Sequence, residues 1–153
     1  RSSHGFRDDL SGPAVAAILE GEGIAINCTL IIPDEKERIK EAIIRLADEE
    51  NLDLIITTGG TGVSPRDVTP DATSEVIDRQ IPGMAEAMRQ GSLLITPYAM
   101  ISRAIAGIRN STLILNLPGS PAGARENLGV VLPALKHAMK KIKGDTAECS
   151  GAG

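Results

Sequence analysis

Two rhythms of apolar and polar positions alternate along this chain, a period near 3.6 and short continuous runs, and their alternation predicts helices interleaved with buried strands. After Ser11-Gly12-Pro13, Val15, Ile18 and Leu19 share one helical face, predicting a first helix that stops at Gly21 or Gly23. Residues 24–32 read as a strand ended by Pro33. Ile39, Ala42, Ile43, Leu46 and Ala47 then repeat at i, i+3, i+4, i+7 and i+8, the stripe of an amphipathic helix opened by Asp34-Glu35-Lys36-Glu37. Leu52-Asp53-Leu54-Ile55-Ile56 reads as a strand apolar on both faces, as parallel strands tend to be. A helix is expected from Pro70 to about Arg79, and a short one over residues 84–91 after the break at Ile81-Pro82-Gly83. Residues 102–109 and 112–117 read as two strands around Asn110-Ser111, an antiparallel hairpin added to the sheet. Leu128, Val131, Leu132, Leu135, Met139 and Ile142 mark a last helix, which Pro133 should kink or restart.

This order predicts an α/β domain of three layers, α/β/α, with a mostly parallel sheet and the hairpin at its side. One domain is expected over residues 1–143, followed by a loose polar tail over 144–153. The chain has 153 residues, enough for a real core, and the only aromatics are Phe6 and Tyr98, so that core is aliphatic. The same scarcity removes the base-stacking platform of single-strand binders, and a net charge of -4 argues further against nucleic acid. No apolar run reaches the roughly 18 residues of a membrane span, and nothing resembles a signal peptide. Cys28 and Cys149 are read as reduced thiols, which predicts a cytoplasmic protein without a membrane partner.

Ligands of open α/β sheets sit beyond the carboxyl ends of the strands, and three loops are expected there: Pro33-Asp34, residues 58–67, and residues 116–121. The middle loop carries Thr58, Gly59, Gly60, Thr61 and Gly62 and closes on Thr69-Pro70, read as an N-cap and first helical residue. Strand, glycine loop and helix start form the usual cradle for phosphate. The loop has neither the Gly-Lys-Ser/Thr of a Walker motif nor the glycine spacing of a dinucleotide fold. Asp67 has two readings: a loop carboxylate that bonds local backbone or Arg66, or a cleft carboxylate for Mg²⁺ beside bound phosphates. Asp34 also has two, a helix cap in a capping box with Glu37 or a second metal-holding acid. Asp71 reads as structural, an acid in the first turn of a helix. In the third loop Leu117-Pro118-Gly119-Ser120-Pro121 ends a strand and starts a helix, with Ser120 as its cap. His4 and His137 have no carboxylate or serine partner, so a hydrolase triad is unsupported.

Taken in order, Ile32-Pro33-Asp34-Glu35, Thr57-Thr58-Gly59-Gly60-Thr61-Gly62, Pro65-Arg66-Asp67-Val68-Thr69-Pro70 and Asn116-Leu117-Pro118-Gly119-Ser120 resemble the molybdenum-cofactor biosynthesis family of the MogA/MoaB type. Pro82-Gly83-Met84, Ser102-Arg103 and Gly107-Ile108-Arg109 add to the match. That family includes molybdopterin adenylyltransferases and the first domain of gephyrin. The resemblance implies a homotrimer that binds molybdopterin and ATP with Mg²⁺, forms adenylylated molybdopterin and pyrophosphate, and meets the molybdenum-insertion protein of the same pathway. It places the catalytic, metal-holding carboxylates on Asp34 and Asp67. Substrate binding falls on Thr58, Gly59, Gly60, Thr61, Gly62, Thr69, Ser102, Arg103, Asn116, Pro118, Gly119 and Ser120. A molybdopterin-binding module or carrier without adenylylation is the alternative. The family also has a leading strand ending in Ser-Asp just before the residue that matches Arg1, so an N-terminal strand is expected to be missing here. Leu93-Leu94-Ile95, with Tyr98, Met100 and Ile101, lies outside the clear periods and either completes the core or makes a subunit contact.

Overall fold

Every side chain of one strand, Thr112–Leu117 (β4), is buried, and the layers are organised around it. The computed structural model describes residues 11–144; His4, Phe6, Cys149 and nearly all of the expected tail lie outside them. β4 pairs in parallel with Leu54–Thr58 (β1), in the register Leu54↔Leu113 to Thr58↔Leu117. Its other edge pairs antiparallel with Ala106–Arg109 (β3), the expected hairpin, and Asn110 turns the chain between them at φ 53°. A two-residue strand absent from the sequence reading, Arg79–Gln80 (β2), closes the far edge against β3. The result is a mixed sheet in the order β1-β4-β3-β2.

Alternation along β4 separates the layers, because successive side chains of a strand point to opposite faces. Leu113, Leu115 and Leu117 enter one core, with Val15 and Leu19 from Ser11–Gly21 (α1), Met84 and Met88 from Pro82–Leu93 (α4), and Leu128, Val131 and Leu135 from Pro121–Ile142 (α5). Ile114 and Ile55 enter the other, with Ile39 and Ile43 from Lys36–Ile44 (α2) and Ala72 and Val76 from Thr69–Val76 (α3). Helices cover both faces, giving the three layers.

Five local expectations change. Residues 24–32 form no strand among the described residues, because apolar alternation makes a strand only where a neighbour offers its backbone. Between that segment and β1 lies a cavity of about 760 Å³, lined by both and by side chains of α1, α2 and α5. Residues 102–105 are not strand; β3 begins at Ala106. Asp34 caps nothing: α2 starts at Lys36 with Glu35 before it and no side-chain cap, and a π-helical turn, Arg45–Glu49, continues it. Thr69 is already the first residue of α3, after Val68, whereas α5 runs through Pro133 as one helix. Ser120 does cap α5, accepting the Gly123 N–H at 3.1 Å.

α2 is pinned to α3 by Glu75, which accepts from Lys36 Nζ at 2.7 Å and Lys40 Nζ at 2.8 Å. Hydrogen bonds from these two ammonium groups hold its carboxyl at about 2, against an ordinary 4.5. A depressed carboxylate stabilises the fold above its unfolded value and loses that contribution as pH falls through the folded one. Glu75→Gln should therefore lower the unfolding temperature at pH 7, by a small amount for so exposed a cluster. The gap between mutant and parent should close as pH falls from 4.5 toward about 2, as thermal melts across that range would show.

Candidate nucleotide and pterin site

Parallel pairing brings two of the three loops together. β1 and β4 end side by side at Thr58 and Leu117, and the Gly59 N–H donates to Leu117 O at 2.9 Å. A Cβ on Gly119 would lie 3.2 Å from Gly59 Cα, so the two glycine turns touch through their backbones.

The glycine loop folds back on the start of α3. Gly60 has φ +69°, and a Cβ there would run into Thr69 Oγ1; the Thr69 N–H donates to Gly60 O at 3.2 Å. A β-branched residue fits neither the dihedral nor the space. The turn that follows is organised by Asp67. Its Oδ2 accepts the Ser64 N–H at 3.0 Å, its own N–H donates to Ser64 O at 2.9 Å, and that Oδ2 would lie 2.8 Å from a Cβ on Gly62. The local-backbone reading of Asp67 thus has its bond, while Arg66 reaches elsewhere.

Arg66 brings in the remaining loop: its guanidinium donates to Asp34 Oδ2 at 3.3 Å. Asp34 and Asp67 accordingly stand on adjoining loops at the carboxyl edge of the sheet. No cluster of three or more metal-ligating side chains occurs among the described residues. Two carboxylates suit Mg²⁺, which keeps several waters and takes one or two protein oxygens together with substrate phosphates. The donor chemistry fits, with Asp34 and Asp67 as the residues that would hold the ion.

Other residues named from sequence sit in a polar layer beneath these loops. Asn116 is fully buried; its amide donates to Thr57 Oγ1 at 3.0 Å and Thr73 Oγ1 at 3.1 Å, while its oxygen accepts the Ile105 N–H at 3.2 Å. Thr73 in turn donates to Thr69 O at 2.8 Å. Arg103 spends its guanidinium on the glycine loop: Nε donates to Gly62 O at 2.7 Å, one terminal nitrogen donates to Asp67 O, and both terminal nitrogens bond the Asp71 carboxylate at 3.1 and 3.2 Å. The hydrogen bond from Arg103 holds the Asp71 carboxyl below its ordinary range. Ser102 bonds within its own segment and to α4. Its Oγ accepts the Ala104 N–H, and its carbonyl, with that of Ala104, accepts from Arg89. Thr58, Gly59, Gly60, Thr61 and Gly62 line the loop; Pro118 is half-buried beside them and Gly119 exposed.

Sequence reasoning passed over Thr73, Arg89 and the partner of Asp71. Thr73 had one signal, its place one helical turn after Thr69. Arg89 had none, because its acceptors are carbonyls thirteen and fifteen residues away.

Comparison with known proteins identifies the family. A family model described as "Probable molybdopterin binding domain" matches residues 2–137. The chain is 43% identical over 148 residues to a molybdopterin adenylyltransferase of Helicobacter pylori, covering 95% of this chain and 84% of that protein. It is 48% identical over 152 residues to gephyrin of Dictyostelium discoideum, covering 93% of this chain but only 21% of that larger protein. Among solved structures, the molybdopterin biosynthesis enzyme MoaB of Thermus thermophilus superposes with a TM-score of 0.87 at 50% identity, over 92% of this chain and 89% of that one. The Mog protein of Mycobacterium ulcerans gives 0.86 at 41% identity, over 93% and 92%. With its paired glycine turns inside the stretch this match covers, the chain belongs to the molybdopterin-binding domain family of molybdenum-cofactor biosynthesis.

Proposed function

We propose that this protein is a molybdopterin adenylyltransferase, moving AMP from ATP to the terminal phosphate of molybdopterin and releasing pyrophosphate. The observation that carries the reading is the placement of Asp34 and Asp67 on adjoining loops beside a backbone cradle, in a chain whose relatives bear that name. An oxygen of the pterin's terminal phosphate attacks the α-phosphorus, a new P–O–P bond forms, and the bond to the β-phosphate breaks. Backbone N–H groups of the Gly60–Gly62 stretch orient the phosphates, and no side-chain nucleophile is required. Mg²⁺, when bound, offsets charge on the departing pyrophosphate. Arg66, bonded to Asp34 at 3.3 Å, places a guanidinium at the same edge, where it can meet the triphosphate.

The second reading, a molybdopterin carrier without adenylylation, draws on one feature. Both carboxylates already have partners, Ser64 N–H and Arg66, as purely architectural loop acids would. Pyrophosphate release from molybdopterin, ATP and Mg²⁺ separates the two readings. Asp67→Asn keeps shape and removes charge, so turnover should fall at least a hundredfold while molybdopterin affinity stays within a few-fold. Parental turnover in this mutant would remove Asp67 from the reaction. Asp34→Ala should behave likewise, with little change in melting temperature because the side chain caps no helix.

Gly60→Val should weaken pterin or phosphate binding at least tenfold, because the new side chain displaces Thr69 and the loop with it. Calorimetric titration of the folded mutant checks this, and unaltered affinity would show the loop to be a spacer.

A homotrimer completes the proposal. Leu94 is 89% exposed, Tyr98 78% and Met100 71%, so the apolar run at the end of α4 and the 3₁₀ turn Pro97–Ile101 does not serve this chain's own core. Apolar surface this concentrated is suited to a subunit contact. Light scattering should return a trimer mass that Leu94→Lys reduces; a monomer mass for the parent across a dilution series would refute the contact. A cytoplasmic setting and a hand-over to the molybdenum-insertion protein accord with the exposed free thiol of Cys28 and with the product's chemistry.

A further inference from the structure

The loop that bears Asp67 is held at both ends by one side chain from outside it. Residues 61–67 cross the edge of the sheet with exposed side chains at Val63, Ser64, Pro65 and Arg66, and little apolar packing restrains them. Arg103 supplies the restraint. Its backbone N–H donates to Thr61 O at 2.7 Å, Nε donates to Gly62 O at 2.7 Å, and the guanidinium bonds Asp67 O. The same fork pairs with the Asp71 carboxylate in the first turn of α3. Arg103 therefore ties the entry of the loop, its exit and the following helix to a single planar group. Arg89 of α4 fixes the segment from which that group projects, through the carbonyls of Ser102 and Ala104.

We propose that Arg103 is a positioning residue for the metal-holding carboxylate of Asp67, anchored by Asp71, rather than a ligand of the substrate. Four of its five guanidinium N–H groups are spent within the protein, and the carbonyls it bonds are those of Gly62, at the entry of the loop, and of Asp67 itself. The planar fork matters: lysine could replace the charge but could not span Gly62 O, Asp67 O and the Asp71 carboxylate together. The assignment rests on the reading of Asp67 given above.

Three variants test it: Arg103→Lys, Arg103→Met and Asp71→Asn, with Glu75→Gln as a control that breaks an ion pair on the far end of α3. The first readout is amide hydrogen exchange at Ser64, Asp67 and Thr69, which requires no substrate. Exchange there should quicken at least tenfold in the Arg103 variants and less in Asp71→Asn, with no change at β4 and none in the control. The second readout is the Mg²⁺ concentration giving half-maximal pyrophosphate release. It should rise several-fold, with kcat partly restored by excess Mg²⁺ and KM for molybdopterin little altered. Unchanged exchange in a folded Arg103 variant would overturn the assignment, as would quickened exchange with an unaltered Mg²⁺ requirement. A rise in KM for molybdopterin alone would make Arg103 a substrate ligand instead. Should Arg103→Met fail to fold, Arg103→Lys and Asp71→Asn give the same readouts. Absence of pyrophosphate release from the parent would defeat the adenylyltransferase reading by itself, while the exchange rates would still decide whether Arg103 holds the loop.

Discussion

The in-register parallel pairing of β1 with β4 is the constraint on which the rest of the structure depends. Parallel strands end at the same edge, so the loops that follow Thr58 and Leu117 must emerge side by side. That single geometric fact places the glycine loop against the Pro118-Gly119 turn, and the Gly59 N–H to Leu117 O bond extends the ladder into the site. Had the two strands run antiparallel, the turns would lie at opposite ends of the sheet.

Beneath the loops the burden shifts from backbone to buried polar side chains. Asn116 stands among the most buried residues of the protein, and its amide is satisfied by Thr57, Thr73 and the Ile105 backbone, one partner from each neighbouring element. An orphaned buried donor or acceptor costs about 1–3 kcal/mol, so this residue specifies one arrangement of β1, α3 and the 102–105 segment. Arg103 does the same one layer higher and nearer to solvent, where its ion pair with Asp71 is screened and its carbonyl contacts set geometry more than stability. Between them the floor and the wall of the site have little freedom, while the rim from Val63 to Arg66 remains exposed.

The legible parts of the fold were those written in local periodicity. The stripes of α1, α2 and α5, the hairpin at Asn110 and the Ser120 cap are local physics, and each formed as its residues indicate. Errors collected where the outcome depends on a distant neighbour. Residues 24–32 have the alternation of a strand but no ladder partner among the described residues. Residues 102–105 read as strand, yet they serve as the platform from which Arg103 projects, held by Arg89. Asp34 had the spacing of a capping box, but its carboxylate is drawn to Arg66, thirty-two residues on, and the helix begins without it.

By itself the sequence determined the α/β layering, the identity of the three loops and the two acids worth attention, because periodicity, glycine and proline act through bonds to near neighbours. Only the tertiary structure decided which polar residues turn into the protein. Asn116 and Arg103 both look like binding residues in the linear chain. In three dimensions Asn116 is a buried strut and Arg103 a clamp, since a side chain's direction is set by the partners it meets across the fold. The pairing of Asp34 with Arg66 is of the same kind: spacing along the chain carries no information about which loops the parallel sheet will bring together.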